Sequence, residues 1–372
     1  MCATAAQEHR WSAPLHTGSV GARTVVEFRG VRIVGIGGFV PGAPVHNHQL
    51  CTDLDTSDEW ITQRTGIRSR HFVGPGVTTS DMATAAAANA LDSARREFEP
   101  DIVVCATTTP DFRCPATAPV VASNLGLTSR PAFDVSAVCS GFLYALSVAG
   151  SMLGEGKYDS ALVVAAESFS TLLDKRDRST AVIFGDGAGA VLLRYDPDAL
   201  SGQVHGVELA SEGTDSQLIS VPGGGAYSAA HPDEALSPYF RMDGRRVFTR
   251  AIRAMADISL RALEVPGWTV GQVDTLIGHQ ANARILRGVA NELGIPAHKA
   301  VVHLDEVGNT SAASIPLAMA ARGKSIATSS KTLLTAYGAG TTWAAATLDW
   351  PDVTPVYTSD LCPTNLSNGA MT

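Results

Sequence analysis

Cys139 stands between an apolar run, Pro131 to Val135, and a segment of helical spacing that continues to about Gly154. The run reads as a short buried strand and the segment as a helix, so the cysteine falls at a strand-to-helix turn. The open N–H groups and positive dipole end of a helix favour thiolate there, and thiolate is the nucleophilic form. Gly141, Ala145, Ser147, Ala149 and Gly150 make the helix one that other backbone can approach closely, as at the centre of a fold. A free cysteine is equally at home as a small core residue. This stretch alone leaves both readings open.

Other segments carry chemistry-bearing residues. Thr56 and Glu59 have capping-box spacing, so a short helix opens there. Trp60 and Arg64 follow at i and i+4, an aromatic and a cation on one face, a pair able to sandwich a flat heteroaromatic ring. Gly278-His279-Gln280-Ala281-Asn282 ends an apolar strand, and Gly308-Asn309-Thr310-Ser311-Ala312 leads into a small-residue helix. The Gly35-Ile36-Gly37-Gly38 cluster imitates a dinucleotide loop, but Pro41 and Gly42 stand where its helix would start. The glycines of Gly185–Gly189 precede a strand, not a helix, and read as packing and turn glycines.

The elements that must position these residues fall into two similar series. Asp101 to Thr108 is a buried strand, followed by the cysteine strand and helix, a strand Ser160 to Glu167, and a strand–glycine turn–strand unit over Ala181 to Leu193. The second series runs Val273 to Asn282, then Ala300 to Leu304 leading through Asn309 into a helix. It ends in the strand–turn–strand unit Lys331 to Trp343. The order repeats although residue identity does not, which predicts two α/β halves about a pseudo-twofold axis. Residues 1–28 read as a loose extension, 29–205 and 206–350 as the halves, and 351–372 as a tail. The stretch 213–243 is the longest irregular one, a surface loop or a lid. Helices are expected over Thr79 to Arg96 and Val247 to Leu263. Superposing the halves puts Cys139 and Asn309 at matching turns, with His279 closing a neighbouring strand. A thiolate, an imidazole and an amide donor in one pocket make a thioester-handling site.

Bulk properties narrow the classes. The chain has 372 residues, 45% hydrophobic and 17% charged, with formal net charge −8. That balance argues against a general nucleic-acid binder, and an acidic partner would need a local basic patch. Six scattered cysteines without a Cys-x-x-Cys pair suit reduced thiols, neither a disulfide framework nor a zinc site. No apolar run approaches the length of a membrane span, and residues 1–28 lack a signal core, so a cytoplasmic protein is expected.

The segments Asp134–Gly141, Gly278–Asn282, Gly308–Ala312 and Tyr337-Gly338-Ala339-Gly340 together resemble β-ketoacyl-acyl-carrier-protein synthase III, of the thiolase superfamily. Asp55–Ile67 and Phe184–Ala190 match it as well, and the resemblance spans roughly residues 29–350. It implies the thiolase fold, five-layered αβαβα, and a homodimer. By resemblance, Cys139 takes an acyl group from acyl-coenzyme A, and His279 and Asn309 handle the decarboxylating malonyl unit of malonyl-acyl-carrier protein. The backbone N–H groups of Cys139 and Ala339 would form the oxyanion hole. Thr56, Trp60, Arg64 and Arg178 would hold coenzyme A, with Trp60, Arg64 and Arg178 at its adenine end.

Cys114 takes a position where the family often places phenylalanine, flooring the partner's acyl pocket, so the smaller thiol implies a deeper pocket. Arg246, Arg250 and Arg253 share a helix face and, with Arg284, would dock the acidic carrier protein; the same arginines also suit an ordinary solvated face. Thr249 stands where the family sometimes has lysine. Coenzyme A enters as substrate, and neither a metal nor a redox cofactor is implied. Initiation of fatty-acid or aromatic polyketide synthesis is the implied role. The alternatives are a same-fold acyltransferase or thioesterase without decarboxylation, a chalcone-synthase-like iterative enzyme, and a non-catalytic acyl-CoA-binding protein.

Overall fold

The computed structural model describes residues 25–198 and 200–359. Two mixed sheets carry the fold. In the first, the strand order is Val356–Thr358, Val31–Phe39, Gly187–Tyr195, Ser160–Glu167, Ile102–Ala106, Ala132–Val135. In the second it is Val25–Glu27, Val204–Ser211, Thr342–Asp349, Lys331–Gly338, Thr275–Gly278. Both halves obey one pattern. The first long strand runs antiparallel to the last, the last antiparallel to the one before it, and the next strand inward is parallel. The parallel pairing of Ile102–Ala106 with Ala132–Val135 has its counterpart in a lone bridge from Leu276 to Ala300. The duplication expected from element order is thus present in topology and strand direction.

Helices complete five layers. Thr79–Ser93 covers the outer face of the first sheet, and Gly244–Glu264 with Ala283–Leu293 covers the outer face of the second. Between the sheets lie Gly141–Gly154 and Ser314–Arg322, one from each half. This αβαβα stack is the thiolase fold. A helix between two sheets has no wet face: Phe142, Leu143, Ala145, Leu146, Ala149 and Leu153 are all buried in one core with residues of both sheets. Small residues let the layers close. A Cβ on Gly37 would stand 2.2 Å from Ala86 O, so that glycine admits the backbone of Thr79–Ser93 rather than a nucleotide.

Several expectations change. The supposed loose extension and tail each contribute an edge strand, Val25–Glu27 to the second sheet and Val356–Thr358 to the first, so the chain ends cross between halves. The half boundary at 205/206 falls inside strand Val204–Ser211. Ala181–Gly185 is not a strand; Phe184 makes only a lone bridge to Asn309, because this segment crosses to the other half. The cysteine strand Ala132–Val135 is half-buried, being the edge of its sheet. The irregular stretch 213–243 contains a short helix Ala226–Ala230 and a two-strand pair, Ile219–Ser220 with Arg241–Met242. Among the described residues, no helix is long and apolar enough to cross a membrane.

Candidate active site

The two central helices begin alike. Each is preceded by a 3₁₀ turn, Val138–Ser140 and Ser311–Ala313, whose first residue has positive φ, +47° at Val138 and +50° at Ser311. Such a backbone costs on the order of 1–3 kcal/mol per residue, most for a β-branched valine. The matching turns face each other across the pseudo-twofold axis, and Cys139 follows Val138 directly.

Ser311 joins the two turns. Its Oγ lies 3.6 Å from Cys139 Sγ, and its backbone N–H donates to Asn309 Oδ1 at 2.9 Å. That bond fixes the Asn309 amide with its carbonyl occupied and Nδ2 left as the donor. The Asn309 backbone is held in turn, its N–H donating to Ile183 O at 2.9 Å and its carbonyl accepting from Gly185 N–H at 3.0 Å. One helical turn beyond Ser311, Ser314 Oγ lies 2.7 Å from His279 Nδ1. The segment Asn309–Ser314 therefore gathers cysteine, amide and imidazole from three separate parts of the chain.

His279 sits one residue past strand Thr275–Gly278, its N–H donating to Thr335 O at 2.8 Å. It is buried, and burial lowers its pKa to about 3, so the ring is neutral at physiological pH. Gln280 braces the loop through its side chain, donating to Gly278 O at 2.7 Å and accepting from His303 N–H at 2.8 Å. The strand-ending Gly338 packs on the cysteine turn: a Cβ there would lie 2.9 Å from Cys139 N and 3.0 Å from Ser140 N. Thr342 Oγ1, across that turn, is 2.7 Å from Ser140 Oγ and donates to Ala339 O at 3.0 Å, which ties Ala339 to the cysteine turn.

The expected thiolate is not the resting form. Cys139 is half-buried, and burial pushes its pKa up to about 12, with Glu167 adding to the rise and the Ser311 hydrogen bond opposing it. A helix N-terminus contributes only ~0.3–1 kcal/mol at exposed sites and up to ~2 in partly buried ones, less than the roughly 4 kcal/mol of the rise from 9.0. Desolvation outweighs the dipole, and Cys139 rests as a thiol. Beneath Ser311 lies Glu167, fully buried at the end of its strand. Its Oε1 accepts from Ser311 Oγ at 3.2 Å, and its Oε2 accepts from Thr108 N–H at 3.0 Å and Thr109 Oγ1 at 2.9 Å. Burial raises this carboxyl to about 7, against the opposing effect of those hydrogen bonds.

Away from this centre, helix Asp58–Thr65 carries Trp60 and Arg64. The guanidinium carbons of Arg64 and Arg178 lie 5.4 Å and 5.7 Å from the Trp60 ring centre, so two cations flank one indole. Arg178 also donates to Asp55 O at 2.6 Å. The helix is capped by Ser57, whose Oγ accepts from Trp60 N–H at 3.1 Å; Thr56 is not the cap, and its buried Oγ1 has no protein partner. Asn282 Nδ2 donates to Arg64 O at 3.0 Å, tying this helix to the histidine loop.

Cys114 is exposed in the single chain. The docking arginines are exposed, but Arg246 and Arg250 both pair with Asp215, which neutralises part of the expected cation cluster. Arg253 is exposed on the same helix, and Arg284 rests over the Phe248 ring at 5.4 Å. Sequence reasoning missed Ser311, Ser314 and Glu167. The last left a signal, a carboxylate ending the otherwise apolar run Ala161 to Ala166.

Comparison with known proteins identifies the family. Residues 133–213 match the family described as 3-oxoacyl-[acyl-carrier-protein (ACP)] synthase III, and residues 263–350 match its C-terminal domain. The β-ketoacyl-[acyl-carrier-protein] synthase III 3 of Streptomyces coelicolor is 49% identical over 330 residues, 87% of this chain and 98% of that one. A solved 3-oxoacyl-(acyl carrier protein) synthase III from Pseudomonas aeruginosa superposes with TM-score 0.82 at 43% identity, over 88% of this chain and 100% of that one. The priming β-ketosynthase of the R1128 polyketide biosynthetic pathway superposes with TM-score 0.82 at 34% identity, over 90% of this chain and 100% of that one.

Proposed function

The chain belongs to the 3-oxoacyl-[acyl-carrier-protein] synthase III family, and on that premise we propose how its residues share the work. It is a condensing enzyme of the acyltransferase class. Cys139 attacks an acyl-coenzyme A thioester and keeps the acyl group as coenzyme A leaves. The oxyanion of the tetrahedral intermediate is met by the backbone N–H groups of Cys139 and Ala339, donors of a kind worth ~2.7–4 kcal/mol each. Malonyl-acyl-carrier protein then enters and loses CO₂. Its enolate oxygen takes hydrogen bonds from neutral His279 through Nε2–H and from Asn309 Nδ2, and the carbanion attacks the acyl-enzyme. The product is β-ketoacyl-acyl-carrier protein, which initiates fatty-acid or polyketide synthesis.

The observation that carries this reading is the Asn309–Ser314 segment, which touches Cys139 at one end and His279 at the other while orienting the amide as a donor. Trp60 between Arg64 and Arg178 supplies an aromatic face with flanking cations, a match for the adenine and phosphates of coenzyme A. Arg253 and Arg284 offer charge for an acidic carrier, with Arg246 and Arg250 available if Asp215 releases them.

Two copies are favoured by the open edge of strand Ala132–Val135. Asp134 on that strand accepts from Thr117 and Ala118 N–H at 2.7 Å each, which holds the Cys114 loop at the same edge. A second copy there would meet Cys114, and the small thiol leaves room for an acyl chain longer than acetyl.

Intact-mass measurement after incubation with acyl-CoA of increasing length, followed by malonyl-acyl-carrier protein with a labelled carboxyl, tests the scheme. Expected are one acyl group on Cys139, none on Cys139→Ala, and one CO₂ per condensation. Acylation without CO₂ release would point to transfer or hydrolysis, and function surviving Cys139→Ala to an acyl-CoA sensor. Loading of acetyl alone would refute the deeper pocket.

A further inference from the structure

We propose that Glu167 is the base for the acylation step, receiving the Cys139 proton through the Ser311 hydroxyl. The directions of the hydrogen bonds fit a relay: the thiol faces Ser311 Oγ at 3.6 Å as donor, and that hydroxyl donates to Glu167 Oε1 at 3.2 Å. Oε2 is taken up by Thr108 and Thr109, which leaves Oε1 as the oxygen that gains the proton. His279, the other candidate base, has its Nδ1 on Ser314, and the enolate step needs its Nε2 proton in place.

The step balances. As Sγ bonds to the thioester carbon, its proton passes to Ser311 Oγ and the Ser311 proton passes to Glu167. When the carbon–sulfur bond to coenzyme A breaks, the departing sulfur takes a proton back along the same path. The carboxylate is restored, and no oxidant or reductant is used. A buried carboxyl near 7 beside a thiol near 12 is set to share a proton only while the thiol is being consumed. Cys105 on the neighbouring strand is electrostatically coupled to Glu167, and burial pushes its thiol well above the usual range, so it is uncharged.

This rests on Cys139 being the acyl acceptor. Glu167→Gln keeps the shape: its carbonyl can serve Thr108 and Thr109 while its amide faces Ser311, and the base is gone. Ser311→Ala breaks the path without touching the carboxyl. Single-turnover acylation by acyl-CoA, followed by quench and mass measurement from pH 5.5 to 9 (a range chosen to bracket Glu167), is the readout. The wild type is expected to gain rate through a limb near pH 7. Either single variant should acylate ~10²-fold or more slowly without that limb, in the range for a lost general base. The double variant should be no slower than the worse single. Losses that multiply in the double variant, or a limb near pH 7 that persists in either single, would overturn the relay while leaving the family reaction standing. A wild-type protein that never gains acyl mass at Cys139 would remove both.

Discussion

Ser314 Oγ sits 2.7 Å from His279 Nδ1 and also accepts the backbone N–H of Gln280 at 3.3 Å. A serine hydroxyl carries one proton and two acceptor sites, so while accepting from Gln280 it can donate to Nδ1, the arrangement that keeps the imidazole proton on Nε2. That tautomer is the one the proposed enolate contact needs. Ser314→Ala should slow CO₂ release from malonyl-acyl-carrier protein ~10-fold, about 1.4 kcal/mol, while single-turnover acylation of Cys139 changes much less. Equal losses in both half-reactions would mean that Ser314 only supports the fold.

Asn309 offers a sharper test of the same step. Asn309→Asp preserves the acceptor for Ser311 N–H but replaces the donor Nδ2 with a second oxygen. An enolate would then meet a carboxylate, so decarboxylation should fall ~10²–10³-fold, the usual cost of one preorganised donor. Acyl transfer to Cys139 should survive, and intact mass after acyl-CoA addition would show it.

On the proposed reading the Trp60 clasp serves coenzyme A binding and not the chemical step. Removing the indole between Arg64 and Arg178 by Trp60→Ala should raise KM for acyl-CoA ~10-fold with kcat nearly unchanged, the signature of lost uniform binding. A truncated acyl-pantetheine donor, lacking the adenine, should show no such difference between variant and wild type. Steady-state kinetics with both donors decides it.

At Gly338 the prediction concerns packing. Gly338→Ala drives a methyl to 2.9 Å from Cys139 N and 3.0 Å from Ser140 N, both backbone atoms. The cysteine turn must shift, so ~1–3 kcal/mol of stability is lost and acylation slows with it. Thermal melting and single-turnover acylation should fall together. A variant that melts normally yet acylates normally would show that the turn has room to spare.

Much of this was legible in the chain itself. Cys139 and His279 stand out because each is a reactive residue closing an apolar run, and Asn309 because it takes the place in the second half that Cys139 takes in the first. The repeat of element order pointed to two α/β halves about a pseudo-twofold axis, while the five-layered stacking came from the family resemblance. Local patterns misled where distant partners decide. Ala181–Gly185 has strand composition but is drawn across to Asn309, and Val25–Glu27 pairs with a strand nearly 180 residues onward. Thr56 has the spacing of a cap, but Ser57 is in place first. The thiolate expectation failed on magnitude, because a dipole effect on the surface scale meets a burial effect several times larger. Ser311 and Ser314 are small polar residues in a small-residue helix start, and only the fold shows what each one touches.

Glu167 finally gives a stability test independent of turnover. Its folded pKa of about 7 lies above the ordinary 4.5, so between those values the folded protein holds a proton that the unfolded chain has released. The stabilising contribution is therefore complete below pH 4.5, is lost as pH rises through 7, and stays lost above it. The total is roughly 3 kcal/mol. His279 has the opposite sign, its lowered pKa adding stability above 6.5 that is lost as pH falls towards about 3. Comparing wild type with Glu167→Gln cancels the histidine, which both proteins share. The Tm difference should shift in favour of the glutamine variant from pH 4.5 to 7 and level off beyond. A difference that stays flat across that interval would mean that the carboxyl is ionised in the fold and already charged when acyl-CoA arrives.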